Sequence, residues 1–239
     1  MKVQNSFTQI KTDLISMLTG VVDLVYPPQC LICGRGLQQD EAEICTACLS
    51  NFKLLGKPHT RFSVPGKIYI TTAWPLFDFD PAFQTLIHHL KYSRRRKPVL
   101  RVLDRFRTEI LTQLPAAGFD LVISIPLHPL KLRERGYNQV DDMSKWIAEQ
   151  MGATLGNHLV KRSKYTQSQT KLSANERFEN VHEAFRLKGK TEVSGTHILL
   201  VDDVLTTGAT ANALARVLQE AGATQIDLIT LSTPQYGNP

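Results

Sequence analysis

Two neighbouring acids followed by a run of small hydroxyl residues carry the most chemistry in this chain. The segment runs from Ile198 through Val201 to Asp202 and Asp203, then to Thr206, Thr207, Gly208, Ala209 and Thr210. Its apolar start predicts a buried strand that delivers both carboxylates to the strand's carboxyl end, the edge where open α/β sheets bind ligands. The small residues then turn the chain into a helix. Glycine and short side chains let backbone N–H groups approach an anion, and the helix start adds unpaired donors and a positive dipole end. The hydroxyls of Thr206, Thr207 and Thr210 add further donors. A phosphate fits that nest, and the adjacent carboxylates suit paired ribose hydroxyls or a Mg²⁺ held mainly by ligand oxygens.

Other readings of the same residues are weaker. A strand ending in two acids is also the metal strand of a P-loop ATPase, but that requires a G-x-x-x-x-G-K-[ST] loop, which the chain lacks. Gly34 and Gly36 form only a fragment of a dinucleotide fingerprint. Two solvated carboxylates at a turn would be the bland alternative.

A second constellation is Cys30, Cys33, Cys45 and Cys48, the chain's full set of cysteines. Two pairs of C-x₂-C spacing suit tetrahedral Zn²⁺ bound by four thiolates, a closed structural site with no open position for catalysis. Disulfides are the alternative, disfavoured where no secretory signal is seen.

The third is a basic run. Lys91, Arg94, Arg95, Arg96, Lys97, Arg101, Arg105 and Arg107 face only Asp104, so this stretch exceeds the +6 net charge of the whole chain. A local excess favours a phosphate-bearing partner over general solubilising charge. Lys91, Arg94, Arg95, Arg96 and Lys97 are the candidate nucleic-acid contacts, with Lys161, Arg162 and Lys164 as a second patch. Tyr92 and Tyr165 are the aromatics placed to stack on bases. A solvated helix face is the ordinary reading of the same charges.

These residues need elements to hold them. A chain of 239 residues, 42% hydrophobic and 21% charged, supports a sizeable core and one α/β domain with a small appendage. Residues 6–25 carry one apolar helical stripe, so residues 1–26 are expected to form an amphipathic helix packed on the protein's body. Residues 27–52 form the cysteine module, and residues 67–239 the α/β domain. Within it, strands are predicted at Lys67–Ala73, Phe119–Ile125, Ile198–Val201 and Ile226–Leu231. Helices are predicted over Pro81–Tyr92, from Pro98 to Ile110, over 137–151 and over 209–221, with a short one near the end of 161–180. A proline- and cation-rich loop is predicted from Pro126 to Gly136. Alternation of strands and helices implies a parallel sheet with helices on both faces. No window is apolar enough to cross a bilayer, and the start of the chain lacks a secretory pattern, so the expected compartment is the cytoplasm.

The acid–threonine segment resembles the ribose-phosphate motif of type I phosphoribosyltransferases. From about residue 28 onward the chain resembles the ComF/GntX family of bacterial competence and DNA-utilisation proteins. The further pieces that carry this are Leu90 to Tyr92, Pro126 to Pro129, Arg133 to Gln139, and Thr166 to Gln169 with Leu172, Arg177 and Asn180. The resemblance implies phosphoribosyl pyrophosphate as ligand. Asp202 and Asp203 would be the ribose and Mg²⁺ carboxylates, and Thr206, Thr207, Gly208, Ala209 and Thr210 the 5-phosphate cradle. Arg133 and Arg135 would lie where such folds hold pyrophosphate, bidentate donors suited to phosphate oxygens. It further implies an accessory protein of DNA uptake with single-stranded DNA as partner, beside recombination or helicase proteins. An active transferase using Mg²⁺ and a nitrogenous acceptor is the alternative, although no residue stands out as the acceptor's base.

Overall fold

A computed structural model describes residues 27–59, 62, 64, 66–93, 95–163, 184–189 and 192–234. The chain divides into two compact units, Met1–Asn51 and Phe52–Pro239. The expected N-terminal amphipathic helix lies outside the described residues. So do Arg94, Lys164, Tyr165 and the polar segment through residue 183, with its expected short helix.

In the first unit, antiparallel bridges join Gln29 to Gly36 and Ala42 to Ile44, and a short helix, α1, spans Thr46–Asn51. Glu41 ties these turns together. Its carboxylate accepts from the Thr46 and Gln38 amides at 2.7 and 3.0 Å and from Arg35 at 2.7 Å. Those amide donors, and then the guanidinium, hold its pKa down at about 2.

The second unit is built on a five-stranded sheet: β1 (Ala73–Asp78), β7 (Gln225–Thr233), β6 (His197–Val204), β2 (Leu121–Ser124) and β3 (Thr154–Leu155), in that order. All four pairings are parallel. Continuous apolar runs suit strands covered on both sides. Accordingly, Ile198 and Leu200 pack into one cluster with Leu214 and Leu218 of helix α7 (Ala209–Glu220). Leu199 and Val201, which alternate to the other face, are also fully buried. The parallel α/β architecture expected from the alternation of elements is the one found. Strands β4 (Val160–Arg162) and β5 (Phe185–Leu187) pair separately as an antiparallel hairpin.

Helix α2 (Pro81–Tyr92) follows its sequence signals. Asp80 caps it by accepting from the Phe83 amide at 2.7 Å, Pro81 opens it, and Phe83, Leu86, Ile87 and Leu90 are buried. The single helix expected from Pro98 is instead two, α3 (Lys97–Arg105) and α4 (Arg107–Leu111). They break at Phe106, whose ring stands edge-on to Phe77 at 5.3 Å.

Two further expectations are corrected. The first strand is Ala73–Asp78, not Lys67–Ala73. Upstream, side chains interrupt the ladder: the Tyr69 amide donates to Asn212 and the Thr72 amide to Asp227, while the Thr71 amide still reaches the Ile226 carbonyl. Pro75 inside β1 is tolerated because β1 is an edge strand. The expected Pro126–Gly136 loop contains helix α5 (Pro129–Arg135), capped by the His128 ring and ended by Gly136 in a left-handed conformation. It is followed by α6 (Asp141–Met151).

Candidate functional site

Strand β6 carries Asp202 and Asp203 to its carboxyl end, as the sequence predicts, but strand alternation sends them to different surroundings. Asp202 lines a small pocket with Leu205, Thr206, Thr207, Gly208, Ala209 and Thr210; Leu228 and Thr230 complete one wall. Gly208 is the N-cap of α7 with φ +83°, and a Cβ there would meet the Phe62 ring at 2.9 Å. Only glycine fits both the left-handed backbone and the close approach. Thr207 Oγ1 accepts from the Ala209 amide at 3.3 Å, and Gly208 offers no side-chain cap. The first turn of α7 therefore presents backbone N–H groups and a positive dipole end at the pocket.

Asp202 is half buried. Burial, and after it the charge of Asp203, push its carboxyl up to about 7. The Asp203 amide, at 2.8 Å from Asp202 Oδ1, and the cations Lys91 and Arg162 only partly offset this.

Asp203 is buried, and three sequence pieces converge on it. Lys91 Nζ, from the last turn of α2, lies 2.8 Å from its Oδ2. Gln139 Nε2 donates to the same oxygen at 2.9 Å. Gln139 Oε1 in turn accepts from Arg135 Nη1 at 2.6 Å, and the Arg135 guanidinium stands 5.7 Å from the Tyr92 ring. The Tyr137 hydroxyl closes the group by donating to the Leu90 carbonyl.

Sequence reasoning placed Lys91 with the surface basic run and Arg162 in a second patch. The structure brings both to the acidic pair. Arg162 is largely buried, which depresses its pKa, and the charge of Asp202 opposes that effect. Lys131 was not singled out at all. Burial lowers its pKa first, then the charges of Arg162 and Arg135, so these cations share one neighbourhood. The only signal for Lys131 was its place in the cation-rich Pro126–Gly136 segment. Arg133 is exposed on α5.

The acidic pair fits Mg²⁺ only in part. Asp203 Oδ2 is engaged by an ammonium and an amide, so a divalent ion here would draw most of its oxygens from a ligand and water.

In the first unit, the sulfurs of Cys30, Cys33, Cys45 and Cys48 lie within 4.8 Å of one another, with Cys33 and Cys45 at 3.8 Å. A tetrahedron with Zn–S of about 2.3 Å has edges of about 3.8 Å, so the four thiols fit zinc. The Cys45 amide points at Cys30 Sγ at 3.3 Å and the Cys48 amide at Cys45 Sγ at 3.4 Å. Burial raises the Cys30 pKa, but amide donors from Cys45, Cys33 and Ile32 outweigh it and bring the value to about 6. Burial and the neighbouring sulfurs push Cys48 the other way.

Of the basic run, Arg95, Arg96 and Lys97 are exposed at the junction of α2 and α3. Arg96 pairs with Asp142 at 3.2 Å and lies over the Tyr137 ring at 5.4 Å. Tyr92 beside them is 68% exposed, with its ring 5.0 Å from that of His88 and 5.7 Å from the Arg135 guanidinium.

Comparison with known proteins agrees with both units. A phosphoribosyl transferase domain matches residues 143–236, and a double zinc ribbon domain matches residues 21–61. The chain is 32% identical over 213 residues to the DNA utilization protein YhgH of Escherichia coli (strain K12), covering 83% of this chain and 87% of that one. The chain belongs to this family. Competence protein F of Haemophilus influenzae is 38% identical over 130 residues, 54% of this chain and 55% of that one. Among solved structures, a purine phosphoribosyltransferase from Pyrococcus horikoshii covers 55% of this chain and 73% of its own, with 15% identity and a TM-score of 0.37. The zinc ribbon with its four cysteines supports Zn²⁺ as a structural ion. Among the described residues, no helix is long and apolar enough to cross a membrane.

Proposed function

We propose that this protein is an accessory factor of competence or DNA utilisation that binds phosphoribosyl pyrophosphate in the Asp202–Thr210 pocket and single-stranded DNA on its basic surface. The pocket supports the first part: a helix N-terminus with a left-handed glycine faces a half-buried carboxylate. The 5-phosphate would take the amides and hydroxyls of Thr206, Thr207, Gly208, Ala209 and Thr210, as anions do at helix N-termini. Asp202 would accept from the ribose hydroxyls. The pyrophosphate would lie toward Arg135, Lys131 and Arg162, whose mutual repulsion an anion would relieve. Mg²⁺ would be supplied with the ligand and would offset the charge of its phosphates, with Asp202 the carboxylate available to hold it. Exposed Arg95, Arg96 and Lys97, with Tyr92 as a stacking face, suit a single strand held through its phosphates.

Calorimetry with phosphoribosyl pyrophosphate and Mg²⁺ tests the pocket. Asp202→Asn should weaken binding roughly ten- to hundredfold, the loss expected for hydrogen bonds of about 1.5–3 kcal/mol to a charged group. Fluorescence anisotropy with a labelled single strand tests the surface. Affinity should fall steeply with salt, and replacing Arg95, Arg96 and Lys97 with Ala should flatten that dependence by about 0.7 per lost phosphate contact. No DNA binding at low salt would remove that half of the proposal. Acceptor-dependent pyrophosphate release, above an Asp202→Asn/Asp203→Asn control, would replace the accessory reading with a transferase.

A further inference from the structure

Adjacent carboxylates at a strand end are ordinarily a place for a divalent cation. Here one of them already has a counter-ion from the chain. Lys91 Nζ sits 2.8 Å from Asp203 Oδ2, and Gln139 Nε2 occupies the same oxygen at 2.9 Å. The contact is sheltered, with only 10% of the Asp203 side chain and 23% of the Lys91 side chain exposed.

Both partners spring from well-anchored positions. Lys91 follows Leu90, which is buried in the core at 1% exposure and whose carbonyl accepts from the Tyr137 hydroxyl. It precedes Tyr92, which lies against the Arg135 guanidinium. Gln139 is buried and fixed from behind by Arg135 at 2.6 Å. The ammonium thus reaches Asp203 from the end of a packed helix.

We infer that Lys91 is a positioning residue that acts as the resident counter-ion of Asp203, so that the acidic pair holds no divalent cation by itself and Asp202 alone faces the ligand. A metal ion bridging both carboxylates would lie within a few ångströms of the ammonium, where like charges repel strongly in a sheltered site. Any divalent ion would therefore enter bound to an anionic ligand that brings its own oxygens. The placing of the ligand at Asp202 rests on the proposed function, but the exclusion of the free ion does not.

The test uses the full, zinc-loaded chain and Mn²⁺ alone, with free Mn²⁺ read by electron paramagnetic resonance. The unaltered protein should leave the ion free at concentrations up to the millimolar range. Lys91→Met should create one Mn²⁺ site, tighter by about tenfold or more once the positive charge is gone, and Lys91→Met/Asp203→Asn should abolish it. Lys91→Arg, which restores the charge, should restore the exclusion; a merely structural lysine would not produce that pattern. Should Lys91→Met fail to fold, Lys91→Gln removes the charge while keeping a donor. The inference is overturned if the unaltered protein binds Mn²⁺ at this pair, as shown by loss in Asp203→Asn. It is equally overturned if a folded, uncharged Lys91 variant gains no site. Failure to bind phosphoribosyl pyrophosphate, with this Mn²⁺ pattern intact, would sink the proposed function and leave the role of Lys91 standing.

Discussion

Replacing Asp202 with asparagine should stabilise the protein, increasingly so as the pH rises. Burial and the neighbouring Asp203 hold the Asp202 carboxyl at about 7, against about 3.9 in an unfolded chain. The native state therefore takes up this proton more readily than the unfolded one. That contribution to stability is fully present below about pH 4 and is lost progressively as the pH rises to about 7. At 1.36 kcal/mol per pH unit the interval corresponds to a ceiling of about 4 kcal/mol. Because the group keeps some solvent contact and has Arg162 and Lys91 nearby, about 2–4 kcal/mol is the expected range. Asparagine keeps the side chain's shape and an oxygen for the Asp203 amide, which now lies 2.8 Å from Oδ1, but carries no charge. Urea unfolding of both proteins across pH 4 to 8 would measure the effect, followed through Trp74 and Trp146, the chain's two tryptophans, both in the second unit. Titrating groups away from the acidic pair are common to both proteins and cancel in the difference. The two should coincide near pH 4 and diverge above it. A difference that stays flat with pH, or a variant less stable at pH 8, would refute the reasoning.

Gly208→Ala should destabilise by about 1–3 kcal/mol, because the left-handed backbone strains any L side chain and the new Cβ meets Phe62 at 2.9 Å. Thermal unfolding reads the loss, and calorimetry with the phosphorylated ligand should show weaker binding. Cys30→Ser removes one of four thiolates, so metal analysis should find the zinc content reduced well below that of the unaltered chain. Phe83→Ala empties a site where the ring stacks on Phe77 at 4.9 Å and meets Phe52 at 5.2 Å. Denaturant unfolding should show a cost of about 3–5 kcal/mol.

What the sequence made legible was local. The run into Asp202 and Asp203, the small-residue turn and the helix after it lie on consecutive residues, and each obeys its own short-range rule. The same holds for Asp80 and Pro81 opening α2, and for the cysteine spacing. Features that depend on distant partners were hidden. Residues 67–72 look like a strand, yet the Tyr69 and Thr72 amides go to the side chains of Asn212 and Asp227, and the strand begins at Ala73. Helix α5 buries none of its residues, and Leu130 and Leu132 are exposed, so no apolar stripe announces it. Lys91 reads as one more cation in a basic run because nothing near it in sequence names Asp203 as its partner.

The two adjacent acids are thereby placed in two environments by the simplest property of a strand, the alternation of its side chains. Asp202 turns to the pocket at the start of α7 and keeps a raised, titratable carboxyl there. Asp203 turns to α2 and to Gln139, just before α6, and is neutralised by groups the fold holds in place. The arrangement ties the pocket's acidic edge to three separate segments: the end of α2 through Lys91, the end of α5 through Arg135, and Gln139 between them. A disturbance at any of these would bear on Asp203, whose charge is the second largest influence raising the Asp202 carboxyl. Loss of the Lys91 charge would remove one of the cations that now lower the Asp202 pKa, and so raise it further. The counter-ion and the pocket-facing acid are in this sense one electrostatic unit, built from residues that no short stretch of sequence brings together.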